Sequence, residues 1–198
     1  MARRKTPKRP NLLEEIVEAA LITGGVVVGA AVVGGIVKAV TAPKIEDAEL
    51  HEFLLAHLRL AARLVEVAAP PLVPSNDVPN AASDGKRILY NPRWFREQLG
   101  AFCTSATCES NVALGVMGHE LGHHLHPCAA HPHACELEAD AVAAVVLARA
   151  GLRSMDFERV LIEIAPVASQ THPRWDLRVR VIRSVFAEVT TQRGSLIS

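Results

Sequence analysis

Residues Ala19 to Val37 read AALITGGVVVGAAVVGGIV, nineteen in a row without a charge, and Thr23 is the only polar side chain among them. A helix of that length rises roughly 28 Å, close to the hydrocarbon thickness of a bilayer. Five glycines would weaken such a helix buried in a water-soluble protein, whereas lipid tolerates them. The run is longer than the apolar stretch of a cleaved signal peptide, and Pro43 would directly follow the one cleavage-like site, Val40-Thr41-Ala42. We therefore expect an uncleaved signal anchor over 19–40. Gly25 and Gly29, then Ala30 and Gly34, have the small-x-x-x-small spacing through which such helices self-associate.

The anchor separates two regions of opposite charge. Arg3, Arg4, Lys5, Lys8 and Arg9 make 1–18 a basic tip, while from Ile45 onward 14 basic residues face 18 acidic ones. The positive-inside rule puts the tip in the cytoplasm and the body, 45–198, on the periplasmic or extracellular side of the cell (inner) membrane. The formal net charge of zero gives no reason to expect nucleic acid, whose phosphates need clustered cations. With aromatics at only 4%, the core must come from Ala, Val, Leu and Ile.

The body reads as helix-dominated with a small sheet, an α+β class. Ile45–Ala69 is amphipathic, with Leu50, Phe53, Leu54, Leu58, Leu64 and Val65 tracing one face and His51 and His57 expected at its surface or boundary. Prolines 70, 71, 74 and 79 predict a loop to Gly85; Lys86–Asn91 predicts a strand, and Arg93–Leu99 a short helix. Further helices are expected over Glu109–His126, Ala134–Ala150 (stopped by Gly151), Ser154–Ile164 and Pro173–Val189.

Two of these helices carry the chemistry. His119-Glu120-Leu121-Gly122-His123 is H-E-x-x-H: residues four apart share a helix face, so both imidazoles can address one Zn²⁺ while Glu120 reaches a nearby water. On the following helix Glu136 and Asp140 are also four apart. One carboxylate can be the third ligand, and the other can hydrogen-bond the free ring nitrogen of a ligating histidine. Three protein ligands leave a fourth position open, which marks a catalytic zinc site. Glu138 points to another face. His124, His126, His131 and His133 crowd the intervening loop, where solvation and a second metal are the two readings.

The string HELGHHL, then ELEAD, then AVAAVVLARAG resembles the HtpX-like and BepA-like gluzincin zinc metallopeptidases, over about Lys86 to Arg183. Thr171-His172-Pro173, with Arg178 five residues later, is similar to an S/T-H-P element of that family. The resemblance implies a zincin fold, with His119, His123 and Glu136 as ligands of one Zn²⁺ per chain and Glu120 as general base. It implies that Asp140 supports the ligands and that His172 lies near the metal, as switch ligand or oxyanion donor. Tyr90 and Arg178 are the reserve donors. The short connection between His123 and Glu136, where many members carry insertions, takes intramembrane substrate access out of what is implied. A soluble antitoxin-like gluzincin family shares the ligand pattern, but the anchor and the T-H-P element argue against it.

The expected protein is a single-pass zinc endopeptidase acting on protein or peptide substrates, with envelope quality control as the setting the resemblance suggests. Its strand Lys86–Asn91 would form the edge above the metal to which a substrate peptide adds. Two alternatives are a non-catalytic zinc-binding adaptor, for which Glu120 would have no use, and a latent protease held off by His172. An even count of four cysteines beyond the membrane suggests disulfides among Cys103, Cys108, Cys128 and Cys135. Of three pairings we favour the local loops Cys103–Cys108 and Cys128–Cys135. A cysteine-ligated second zinc is the competing reading, although the spacings do not match C-x2-C.

Overall fold

Residues 47–126 and 131–195 are described by the structure, a computed structural model. The anchor, the basic tip and Cys128 lie outside them. The α+β expectation holds: among the described residues are six helices and one three-stranded sheet. The helices are α1 (Asp47–Leu64), α2 (Pro92–Phe102), α3 (Ala106–Leu125), α4 (Pro132–Ala150), α5 (Met155–Ile164) and α6 (Trp175–Ser195), and none is long and apolar enough to cross a membrane.

Local chemistry explains the helix ends. Asn91 caps α2 by accepting from the backbone N–H of Arg93 and Trp94, and Pro92 sits where its missing N–H costs nothing. Ser105 caps α3 through the Cys108 N–H. Gly151 ends α4 at φ 71, the left-handed conformation that glycine adopts without strain.

The proline-rich segment expected as loop contains two three-residue strands, β1 (Leu72–Pro74) and β2 (Ala81–Ser83), and the predicted strand is β3 (Ile88–Tyr90). The order is β1-β3-β2, with β1 parallel and β2 antiparallel to β3, in the registers Leu72↔Ile88 and Ala81↔Tyr90. This corrects the expected edge. The strand within Lys86–Asn91 is the middle one, and β2 is the edge strand that packs against α3. Three-residue strands with prolines at their margins leave no alternation to read.

At the centre lies α3, packed on α1, α4, α5 and β2. Every residue from Cys108 to Gly122 is buried, so α3 is covered on all sides where an outer helix buries one stripe, and it carries Glu109, Asn111, His119 and Glu120 into the interior. His57, expected near the surface, is 1% exposed and directs Nδ1 at the Phe53 carbonyl, 2.7 Å away. Its burial pushes its pKa down, so it is a neutral core histidine.

Cys103 and Cys108 form a disulfide that closes the α2–α3 turn, with Cα atoms 5.3 Å apart. Cys135 carries a free thiol in the first turn of α4, and Cys128, with which it was expected to pair, lies outside the described residues. Loop entropy for a ring this short is worth about 2 kcal/mol. Replacing both Cys103 and Cys108 by alanine should lower the denaturant-unfolding free energy by about that amount, and chemical denaturation of the two proteins side by side checks it.

Candidate metal centre

The centre is built across the α3–α4 contact. These helices approach unusually closely because Gly122 faces Ala139: a Cβ added at Gly122 would lie 2.6 Å from the Ala139 Cα. His119 and His123 flank that point on α3, and Glu136 and Asp140 flank it on α4. The side chains of one helix therefore meet those of the other.

His119, His123 and Glu136 each offer one ligand atom, all within 4.8 Å of one another. The two Nε2 atoms are 3.1 Å apart; Glu136 Oε1 is 3.2 Å from His123 Nε2, and Oε2 is 3.5 Å from His119 Nε2. Two nitrogens bound at ordinary lengths to one tetrahedral ion would be roughly 3.3 Å apart. Two lone pairs aimed at each other at this distance need a shared proton or a cation between them. Buried Glu120 Oε2 lacks a hydrogen-bond partner among the described residues, so polar capacity at the site is unused. The donor set, two imidazoles and a carboxylate, suits a divalent ion such as zinc.

Behind the ligands, His119 Nδ1 lies 3.0 Å from Asp140 Oδ1, which fixes its proton on Nδ1 and its lone pair on Nε2. Asp140 is fully buried and is gripped by Arg178 of α6. His172 Nε2 stands 3.4 Å from Glu136 Oε1 at the half-exposed rim, and its Nδ1 pairs with the Thr171 hydroxyl at 2.8 Å. The loop carrying it is tied to α4, where the His133 ring donates to the Ser169 carbonyl at 2.8 Å.

The residues singled out from the sequence thus meet here, apart from Tyr90. Its hydroxyl is paired with His51 Nδ1 at 3.1 Å, and it lines a separate cavity of about 590 Å³ with Asp47, Arg93 and Arg96. His131 and His133 are exposed, and among the described residues only His119, His123 and Glu136 form a group able to hold a metal. The grip of Arg178 on Asp140 was not foreseen. A signal existed, since Arg178, Ile182, Val185 and Val189 are spaced 4, 3 and 4 along α6 and all are buried.

Burial favours neutral imidazole at His119, but hydrogen bonds to Asp140 and Glu136 outweigh it, and its pKa is pushed up to about 9. For Glu136, burial raises the pKa, yet His119, His123 and Arg178 hold it well below the carboxylate range. For Asp140, burial is likewise overcome, chiefly by Arg178 and then by His119. Glu120 has its pKa raised by burial, against the pull of both imidazoles.

The signs give a pH prediction. His119 is raised in the folded metal-free chain, so its contribution to stability is full below about pH 6.5 and is lost as pH rises through about 9. The lowered carboxylates contribute above their ordinary values and lose that as pH falls. A divalent ion must displace the His119 proton, so its apparent affinity should climb about tenfold per pH unit between pH 6.5 and 9. Zinc titrations at pH 6.5, 7.5 and 8.5 test this; a flat profile would mean that no proton is displaced.

The chain was compared with protein-family models, characterised proteins and solved structures, and none of them matches it.

Proposed function

We propose that this chain is a zinc-dependent endopeptidase of gluzincin type, held at the cell membrane by Ala19–Val37 with its body outside the cytoplasm. The observation that carries this reading is a single constellation. His119, His123 and Glu136 converge, Asp140 backs His119, and Glu120 is buried beside them with an unpartnered oxygen. A structural site would have no task for Glu120.

Zinc bound by His119, His123 and Glu136 would supply Lewis acidity, polarising a carbonyl and acidifying a water. Glu120, its pKa raised by burial, takes a proton onto its carboxylate as water attacks the peptide carbonyl, and returns it to the leaving amine. His172, at the rim, is the donor available to the developing oxyanion. Edge strand β2, against α3, offers main-chain groups to an extended substrate, a mode that reads backbone shape and gives broad specificity.

One observation favours a second reading, latency: His172 Nε2 stands directly before Glu136 Oε1. The test is metal analysis and casein cleavage by the full-length chain and by His172→Ala. Stoichiometric zinc with cleavage by wild type supports the peptidase, and a His172→Ala variant that loses activity supports the oxyanion role. Cleavage only by His172→Ala supports latency. A folded wild-type chain that holds no zinc defeats both.

A further inference from the structure

We infer that Arg178 is a positioning residue of the metal centre, acting through Asp140 to aim His119. The inference rests on reading His119, His123 and Glu136 as a metal site.

Arg178 is 1% exposed, and its guanidinium forks the Asp140 carboxylate: Nε donates to Oδ2 and Nη2 to Oδ1, both at 2.8 Å. Two parallel bonds fix the plane of a carboxylate as a single bond cannot. With the plane fixed, the remaining capacity of Oδ1 is directed at His119 Nδ1, 3.0 Å away, and His119 Nε2 faces Glu136 and His123. The same Nη2 lies 3.3 Å from Glu136 Oε2, so Arg178 reaches the third ligand as well. One side chain of α6 thereby sets groups on α4 and α3.

Stability does not account for it. Arg178 continues the buried stripe of Ile182, Val185 and Val189, where an apolar side chain would pack without desolvation cost. A buried ion pair is often replaceable by apolar residues with no loss of stability. Nor does Arg178 suit an oxyanion, because its Nε and Nη2 are committed and solvent scarcely reaches it. Lysine keeps the charge but cannot make the fork.

The experiment is Zn²⁺ affinity of the full-length chain by chelator competition, with the visible spectrum of the Co²⁺-loaded protein as a second readout. Arg178→Lys should stay folded, bind Zn²⁺ about 10–100-fold more weakly and shift the Co²⁺ bands. In an Asp140→Asn background the same substitution should add less than about threefold, because Arg178 acts through Asp140. Should Arg178→Lys fail to fold, the paired variant Arg178→Met with Asp140→Leu removes both charges together. It should bind as weakly as Asp140→Asn. Affinity within threefold of wild type for Arg178→Lys or the paired variant, or losses that multiply in the double variant, would overturn the positioning role while leaving the metal site standing. A wild-type chain that binds no Zn²⁺ overturns the metal reading and this inference with it.

Discussion

Replacing Glu120 by glutamine should lower the rate of peptide cleavage by about three orders of magnitude, the range of general-base catalysis, and leave zinc content unchanged. Glutamine has nearly the same shape, but its amide cannot accept a proton from water. Glu120 is 6% exposed, and its Oε2 has no hydrogen-bond partner among the described residues, so little of the packing depends on its charge. Removing a buried acid whose pKa is already raised should, if anything, stabilise the metal-free chain. The measurement is kcat on casein together with metal analysis and Tm of the same preparation. Equal cleavage by both proteins would remove Glu120 from the chemistry. Loss of zinc along with activity would make it a ligand instead, a different site from the one proposed.

The candidate site was legible because helical periodicity alone brings its members together. Four-residue spacing put His119 with His123 and Glu136 with Asp140, and the structure needed only to lay one helix on the other. Of the sheet, the strand within Lys86–Asn91 was legible and its two partners were not. Leu72–Pro74 and Ala81–Ser83 are too short for alternation to register, and prolines at 70, 71, 74 and 79 speak for a loop. Their pairing with Ile88–Tyr90 is a long-range event that moved the expected edge strand to the middle. His57 was misplaced because its neighbours on the amphipathic face, Leu54 and Leu58, do not reveal how far the buried stripe of α1 extends. Arg178 was held as a reserve oxyanion donor from its place after the T-H-P element, when its spacing with Ile182, Val185 and Val189 already placed it in the core. The cysteines had three pairings open, and the short Cys103–Cys108 ring is the one made among the described residues, which leave out Cys128.

Two Gly→Ala substitutions should change stability in opposite directions. Alanine in a helix interior is worth up to about 1 kcal/mol over glycine when there is room for the methyl group. Gly100, exposed on α2, has nothing within 4 Å of the added carbon, so Gly100→Ala should raise the unfolding free energy by some tenths to about 1 kcal/mol. At Gly122 the same methyl group would lie 2.6 Å from the Ala139 Cα and 3.1 Å from its Cβ. The obstacle is backbone of α4, which cannot rotate aside as a side-chain tip can, so the helices must part. Overpacking of this kind costs about 1–3 kcal/mol, enough to reverse the propensity gain. The parting falls between His119 and His123 on one side and between Glu136 and Asp140 on the other, so metal affinity should fall as well, by about tenfold or more for a displaced ligand set. Chemical denaturation and zinc titration of the two variants check both effects. If Gly122→Ala gains as much stability as Gly100→Ala and keeps its zinc, the helices are not in the contact described, and the convergence of the four side chains loses its cause.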